Sequence, residues 1–151
     1  MPEAADPFNL QRFLRAQEKD FAVALAEILA GKKYEHWVWF IFPQIAGLGY
    51  SADSVMFAIS SLGEARAYAE HPVLGARLLE CFRGMMTHQG KTAVQILGSI
   101  DAIKLRSCVT LFRRVLPPGS EAEQVLELFY SGIPDPETER ILTSEGAEKE
   151  R

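Results

Sequence analysis

Residues 34–50 read YEHWVWFIFPQIAGLGY, and the fold class turns on how residues 37–42 within them are read. WVWFIF has the β-branched and aromatic content of a buried strand. A run this short is not separable by periodicity from a buried helical turn. No second strand pattern lies nearby to pair with it, so helix is the favoured reading. The same segment gathers both tryptophans of the chain, with His36, Trp37, Trp39, Phe40, Phe42, Pro43 and Gln44 inside nine positions. Aromatic bulk beside an imidazole, an amide and paired glycines suits the wall of a pocket.

Outward from that stretch, the punctuation marks helix ends. Asp6 before Pro7 reads as an N-cap with proline at the first helical position, where a missing N–H is harmless. Leu10, Phe13, Leu14 and Gln17 then share a face. A second helix is expected from about Asp20, with Phe21, Leu25, Ile28 and Leu29 inward and Gly31 as a left-handed terminator. Ser61 with Glu64, Thr92 with Gln95 and Ser120 with Glu123 have capping-box spacing, in which each side chain satisfies an orphan backbone donor. His71 and Pro72 open a longer helix through Leu74, Leu78, Cys81, Phe82 and Met85. Gly98 stops a short helix, and Ser99 caps the next. That next helix carries the buried stripe Leu105, Cys108, Val109, Phe112 and Leu116, and Pro117, Pro118 and Gly119 end it. Asp135 and Pro136 start a last short helix containing Ile141 and Leu142, after which SEGAEKER should fray.

These signals predict an all-α fold, a compact single-domain bundle of about seven short helices packed at varied angles. The domain spans residues 6–142, followed by a flexible C-terminal tail over 143–151. A chain of 151 residues that is 48% hydrophobic and 24% charged suits one sizeable core. The net charge of −4 offers no broad attraction for phosphate backbones or anionic lipid, so no nucleic-acid or membrane partner is expected. The first residues lack a signal-peptide pattern, and apolar runs are too short to span a bilayer. A cytoplasmic protein, monomeric or a weak homodimer, is expected. Cys81 and Cys108 sit in apolar helical stretches and read as reduced, buried thiols.

EHWVWFIFPQIAGLGYSADS, FAISSLGEARAYAEHPVLGARL, ILGSIDAIKLRS with TLF after it, and YSGIPDPETERIL resemble successive signatures of the bacterial family catalogued as domain of unknown function 1810. The resemblance runs from Asp6 to Leu142 in the family's order. It implies an all-α single domain and supplies no activity, substrate or catalytic residue. The name calpastatin, often attached to such proteins, fits poorly, because calpastatin inhibitory segments are disordered whereas these residues are spaced for burial.

The chemistry-bearing residues form no complete motif. His36, His71 and His88 lie on different elements without a supporting carboxylate spacing, so no metal site and no cofactor are expected. There is no GxSxG elbow, and GLG at 47–49 is only a fragment of a phosphate loop. His36 is the candidate acid or base if hydrolysis occurs. Trp37 and Trp39 are candidates for stacking on a planar group, and Gln44 for directional hydrogen bonds. Ser51, Ser54 and His71 are further ligand-binding candidates, although the position before Pro72 already gives His71 a structural role. Lys104, three residues after Asp101, can pair with it or meet an anionic ligand. Two functions follow: a small-molecule site for a planar, anionic, nucleotide-like metabolite, or a protein-interaction module using the aromatic segment as its patch. A concave pocket containing His36 and Gln44 favours the first, and a flat exposed aromatic patch the second.

Overall fold

The computed structural model describes the backbone of residues 5–149 and the side chains of residues 5–144. The regular elements among the described residues are all helices: α1 Gln11–Ala30, α2 Val38–Ile41, α3 Ala52–Met56, α4 Leu62–Glu70, α5 Leu74–Met86, α6 Ala93–Leu97, α7 Ser99–Phe112, α8 Glu121–Tyr130 and α9 Pro136–Lys149. The run WVWFIF supplies one helical turn, α2. The sole β-type pairing among the described residues is an isolated parallel bridge between Ile45 and Ile59.

The caps explain most of the boundaries. Ser61 Oγ accepts from Glu64 N at the start of α4, Thr92 and Gln95 complete a reciprocal capping box on α6, and Ser120 Oγ accepts from Glu123 N on α8. His71 Nδ1 accepts from the backbone N–H groups of Val73 and Leu74 at 3.1 and 3.2 Å, satisfying donors that α5 leaves open at its start. His71→Ala is therefore expected to cost about 1 kcal/mol of stability in urea unfolding. A loss below a few tenths of that would remove the capping role.

Three expectations are corrected. The two N-terminal helices are one: Asp6 accepts from Leu10 N and Gln11 N, the chain then enters α1, and Asp20 lies within that helix. Gly31, with φ of 80°, ends α1 in the left-handed conformation expected of it. Gly98, rather than Ser99, is the residue before α7. The last helix is not short, since α9 carries the chain past Leu142 to Lys149; residues 150 and 151 of the expected tail lie outside the described residues.

α7 is the organising element, packed against α2, α4, α6, α8 and α9, while α5 joins α1, α4 and α8. Its buried face carries Leu105, Cys108, Val109 and Phe112, as the stripe predicts. A run of ring contacts crosses the molecule from Phe40 to Phe57, Phe13, Tyr68 and Phe112, with neighbouring centroids 5.0 to 5.8 Å apart. Gln17 is buried beneath it, and its amide donates to Phe40 O and the Tyr68 hydroxyl, which satisfies a polar group inside the core. Both cysteines are free and buried. Burial pushes the Cys81 thiol up to about 12 and the Cys108 thiol well above its usual range, so neither is a poised nucleophile.

Arg12 ties α1 to the chain that follows α3. Its Nε donates to Met56 O, one Nη to Phe8 O and Asn9 O, and the other Nη to Ala58 O and Glu64 Oε2 at 2.7 Å. Glu64 is 2% exposed, and its second oxygen accepts from the backbone N–H and hydroxyl of Ser60. Arg12 and the bridge of Ile45 with Ile59 together hold both ends of the segment 46–58.

Candidate functional site

A cavity of about 520 Å³ lies between α7, the segment 44–57 and the start of α9. α7 contributes Ile100, Ile103, Lys104 and Ser107, which the spacing i, i+3, i+4, i+7 places on one helical face, beside the core stripe. The facing wall is Trp39, Gln44 and Ile45, then the loop through Gly47 and Tyr50 to Ser51, Ser54 and Phe57. Asp135 and Glu137 close the end beneath α9. The lining is mainly apolar with a few polar groups, the composition usual for small-molecule sites.

Two polar groups in that lining are without a partner. Ser107 is 3% exposed, and its hydroxyl makes no hydrogen bond among the described residues. The Gln44 side-chain amide likewise makes none, although its backbone carbonyl accepts from Ile59 N across the bridge. Neither is sealed from solvent, since the one fully buried side-chain oxygen without a hydrogen bond among the described residues is Glu139 Oε1; both therefore offer bonding capacity to whatever enters the cavity.

Lys104 is positioned by two neighbours. Its ammonium lies 4.8 Å from the Trp39 ring centroid and 3.8 Å from Asp101 Oδ1. Asp101 Oδ2 is held more closely by Lys33 Nζ, at 2.7 Å, and Lys33 sits over the Trp37 ring. One carboxylate thus serves two ammonium groups. At the other end, Asp135 caps α9: its Oδ2 accepts from the Thr138 N–H and hydroxyl, and its own N–H donates to Thr110 Oγ1. Glu137 is paired with Arg140 at 2.8 Å.

Of the residues singled out from sequence, the structure brings Trp39, Gln44, Ser51, Ser54 and Lys104 together in the cavity. Asp101 stands behind Lys104. His36 is exposed and does not line the cavity. His71 caps α5 elsewhere. Trp37 is 1% exposed and belongs to the core, edge-on to Phe42 at 6.0 Å, with its indole N–H donating to Glu27 Oε1. Phe40 and Phe42 are buried too, which leaves Tyr34 and Tyr50, at its two ends, as the exposed aromatics of the segment. Sequence reasoning missed Ser107, Asp135 and Glu137. The available signal was Ile100 and Ile103, two apolar residues off the buried stripe of α7 and 68% and 63% exposed.

Glu27 anchors the start of the segment. Burial raises its carboxyl, but hydrogen bonds from Tyr34 N, Trp37 Nε1 and Glu35 N, with the charge of Lys33, outweigh that and leave it below the usual carboxylate range. A folded-state value below the unfolded one adds stability that is present above the unfolded value and lost as pH falls through the folded one. Acidification below the ordinary carboxylate range is therefore expected to change Trp37 fluorescence before global unfolding, and Glu27→Gln to remove that step. A pH profile identical in the variant would contradict it.

Among the described residues, no group of three or more His, Cys, Asp and Glu is arranged to hold a metal ion, and no helix is long and apolar enough to cross a membrane. The crystal structure of the conserved hypothetical protein Rv1873 from Mycobacterium tuberculosis matches this fold with a TM-score of 0.89. The two sequences are 41% identical over 91% of this chain and 99% of that one. No curated protein matches the chain significantly. A family model described as protein of unknown function (DUF1810) matches residues 7–142, from the turn before α1 to the middle of α9, and the chain belongs to that family.

Proposed function

We propose that the protein binds a small molecule in the cavity between α7 and the segment 44–57. The observation that carries this reading is the pairing of an apolar, aromatic wall with two polar groups that have no protein partner, Ser107 and Gln44, and an oriented cation, Lys104. Such an arrangement favours a ligand with a planar body, a hydrogen-bonding edge and an anionic group. Trp39 flanks the body, the Gln44 amide offers both a donor and an acceptor, and Lys104 meets the charge.

The geometry favours a singly charged anion over a polyphosphate, because one lysine shared with Asp101 faces Asp135 and Glu137 across the cavity. Hydrolysis by His36 has no geometric support, as its imidazole lies outside the cavity lining. The reading is one of binding. The burial of Trp37, Phe40 and Phe42 also counts against the aromatic segment as a protein-docking patch.

A thermal-shift screen of aromatic carboxylates, nucleobases and nucleotides tests the proposal, since a ligand at a hundred times its Kd stabilises by about 2.7 kcal/mol. A hit is expected to lose its shift in Lys104→Met and in Gln44→Ala while the parent Tm stays in place. A shift unaffected by both substitutions would move the site elsewhere.

A further inference from the structure

The two ends of the cavity carry opposite charge. At the N-terminal end of α7, Asp101 is drawn most closely to Lys33, and Lys104, the lysine that lines the cavity, stands 3.8 Å from it. At the other end, the Glu137 charge is balanced by Arg140, but Asp135 forms no ion pair among the described residues. Its Oδ2 is occupied by Thr138, and Oδ1 accepts no hydrogen bond. Arg106, the nearest cation on α7, directs its donors to the carbonyls of Ile133 and Pro134 instead.

An N-capping aspartate is ordinarily explained by its helix alone. Here a second observation joins it: the unpartnered hydroxyl of Ser107, in a residue 3% exposed, lines the cavity between the two poles. The register fixes their order. Lys104, Ser107 and Thr110 succeed one another at intervals of three on α7, and Thr110 holds the Asp135 backbone at 2.9 Å. At a rise of 1.5 Å per residue, Lys104 and the Thr110 that holds the Asp135 backbone stand roughly 9 Å apart along the helix, with Ser107 midway.

We propose that the ligand is an aromatic or heteroaromatic zwitterion, whose anionic group meets Lys104, whose amine or comparable cationic group meets Asp135, and whose body lies over Ser107. The inference rests on the cavity being a small-molecule site and narrows the class of ligand it takes. A ligand with only an anion leaves Asp135 facing an apolar ring system without a counter-charge. One with both charges at opposite ends of a rigid ring satisfies both poles in one pose.

The test is a matched series titrated by protein-observed NMR: 4-(aminomethyl)benzoate as the zwitterion, 4-ethylbenzoate as the anion alone and 4-ethylbenzylamine as the cation alone. The zwitterion is expected to bind about tenfold tighter than either single-charge probe, with the amides of Lys104 and Ser107 shifting. Asp135→Asn keeps a capping side chain on α9, so it should fold; it is expected to bring the ratio of zwitterion to 4-ethylbenzoate affinity down to about one. If 4-ethylbenzoate binds the parent protein as tightly as the zwitterion, or Asp135→Asn leaves the ratio intact, this inference falls and the cavity reading stands. If no probe shifts amides lining the cavity, both fall.

Discussion

Arg12→Met is expected to lower the unfolding free energy by about 3–5 kcal/mol. The substitution keeps an apolar stem over Phe13, which the guanidinium now covers at 4.4 Å, but it leaves the Glu64 carboxylate buried without its cation. It also strips the carbonyls of Met56 and Ala58 of their donors. Removing one partner of a buried pair costs far more than the pair itself contributes, so the double variant Arg12→Met with Glu64→Gln should recover a large part of the loss. Urea unfolding of the two single variants and the double variant decides it. A cost under 1 kcal/mol for Arg12→Met, or no recovery in the double variant, would contradict the role given to this group.

Gly75→Ala is expected to cost roughly 3 kcal/mol, at the upper end for adding one methyl to a packed interior. A Cβ at this position would lie 2.1 Å from the carbonyl oxygen of Ala69 and 2.9 Å from its carbon, both backbone atoms of α4. No side-chain rotation relieves that contact; the start of α5 must move away from α4 instead. Neighbouring core residues would follow, since Leu74 and Leu78 on the same helix are buried. Gly63→Ala provides the contrast, because the nearest atom to its added Cβ is 3.5 Å away, an ordinary contact. Equal destabilisation by the two substitutions would show that the cost lies in glycine chemistry rather than in the crossing of α4 and α5.

What could be read from the chain divides along the range of the forces involved. Caps act within four residues, so Ser61, Thr92, Ser120 and Asp135 marked their helices correctly. Asp20 misled because a polar residue in a solvent-facing turn resembles a cap, while the burial of Phe13, Ala24 and Ile28 along a single face makes α1 continuous. The fate of Trp37 depended on Glu27, ten residues away, and periodicity carries no trace of that bond. Ser107 and Asp135 line one cavity because Arg106 and Thr110 draw the turn before α9 onto α7, a tertiary event with no local signature. Lys104 was legible because its partner Asp101 is one helical turn away.

The bridge between Ile45 and Ile59 has a consequence for how this molecule can change over time. One side of the cavity is α7, whose adjoining face is the core, so alterations there are constrained by folding. The other side leaves and rejoins the body at a pair of backbone bonds, Ile59 N to Gln44 O and Ala46 N to Ile59 O, both 2.8 Å, with Arg12 and the buried Phe57 fastening its far end. Between them, α3 contains no buried residue and Tyr50 is 93% exposed. Lengthening a closed loop of this kind costs only about 0.6 kcal/mol per doubling. The scaffold therefore separates the stability of the core from the shape of the cavity: descendants can rewrite the outer wall while the inner wall keeps its register.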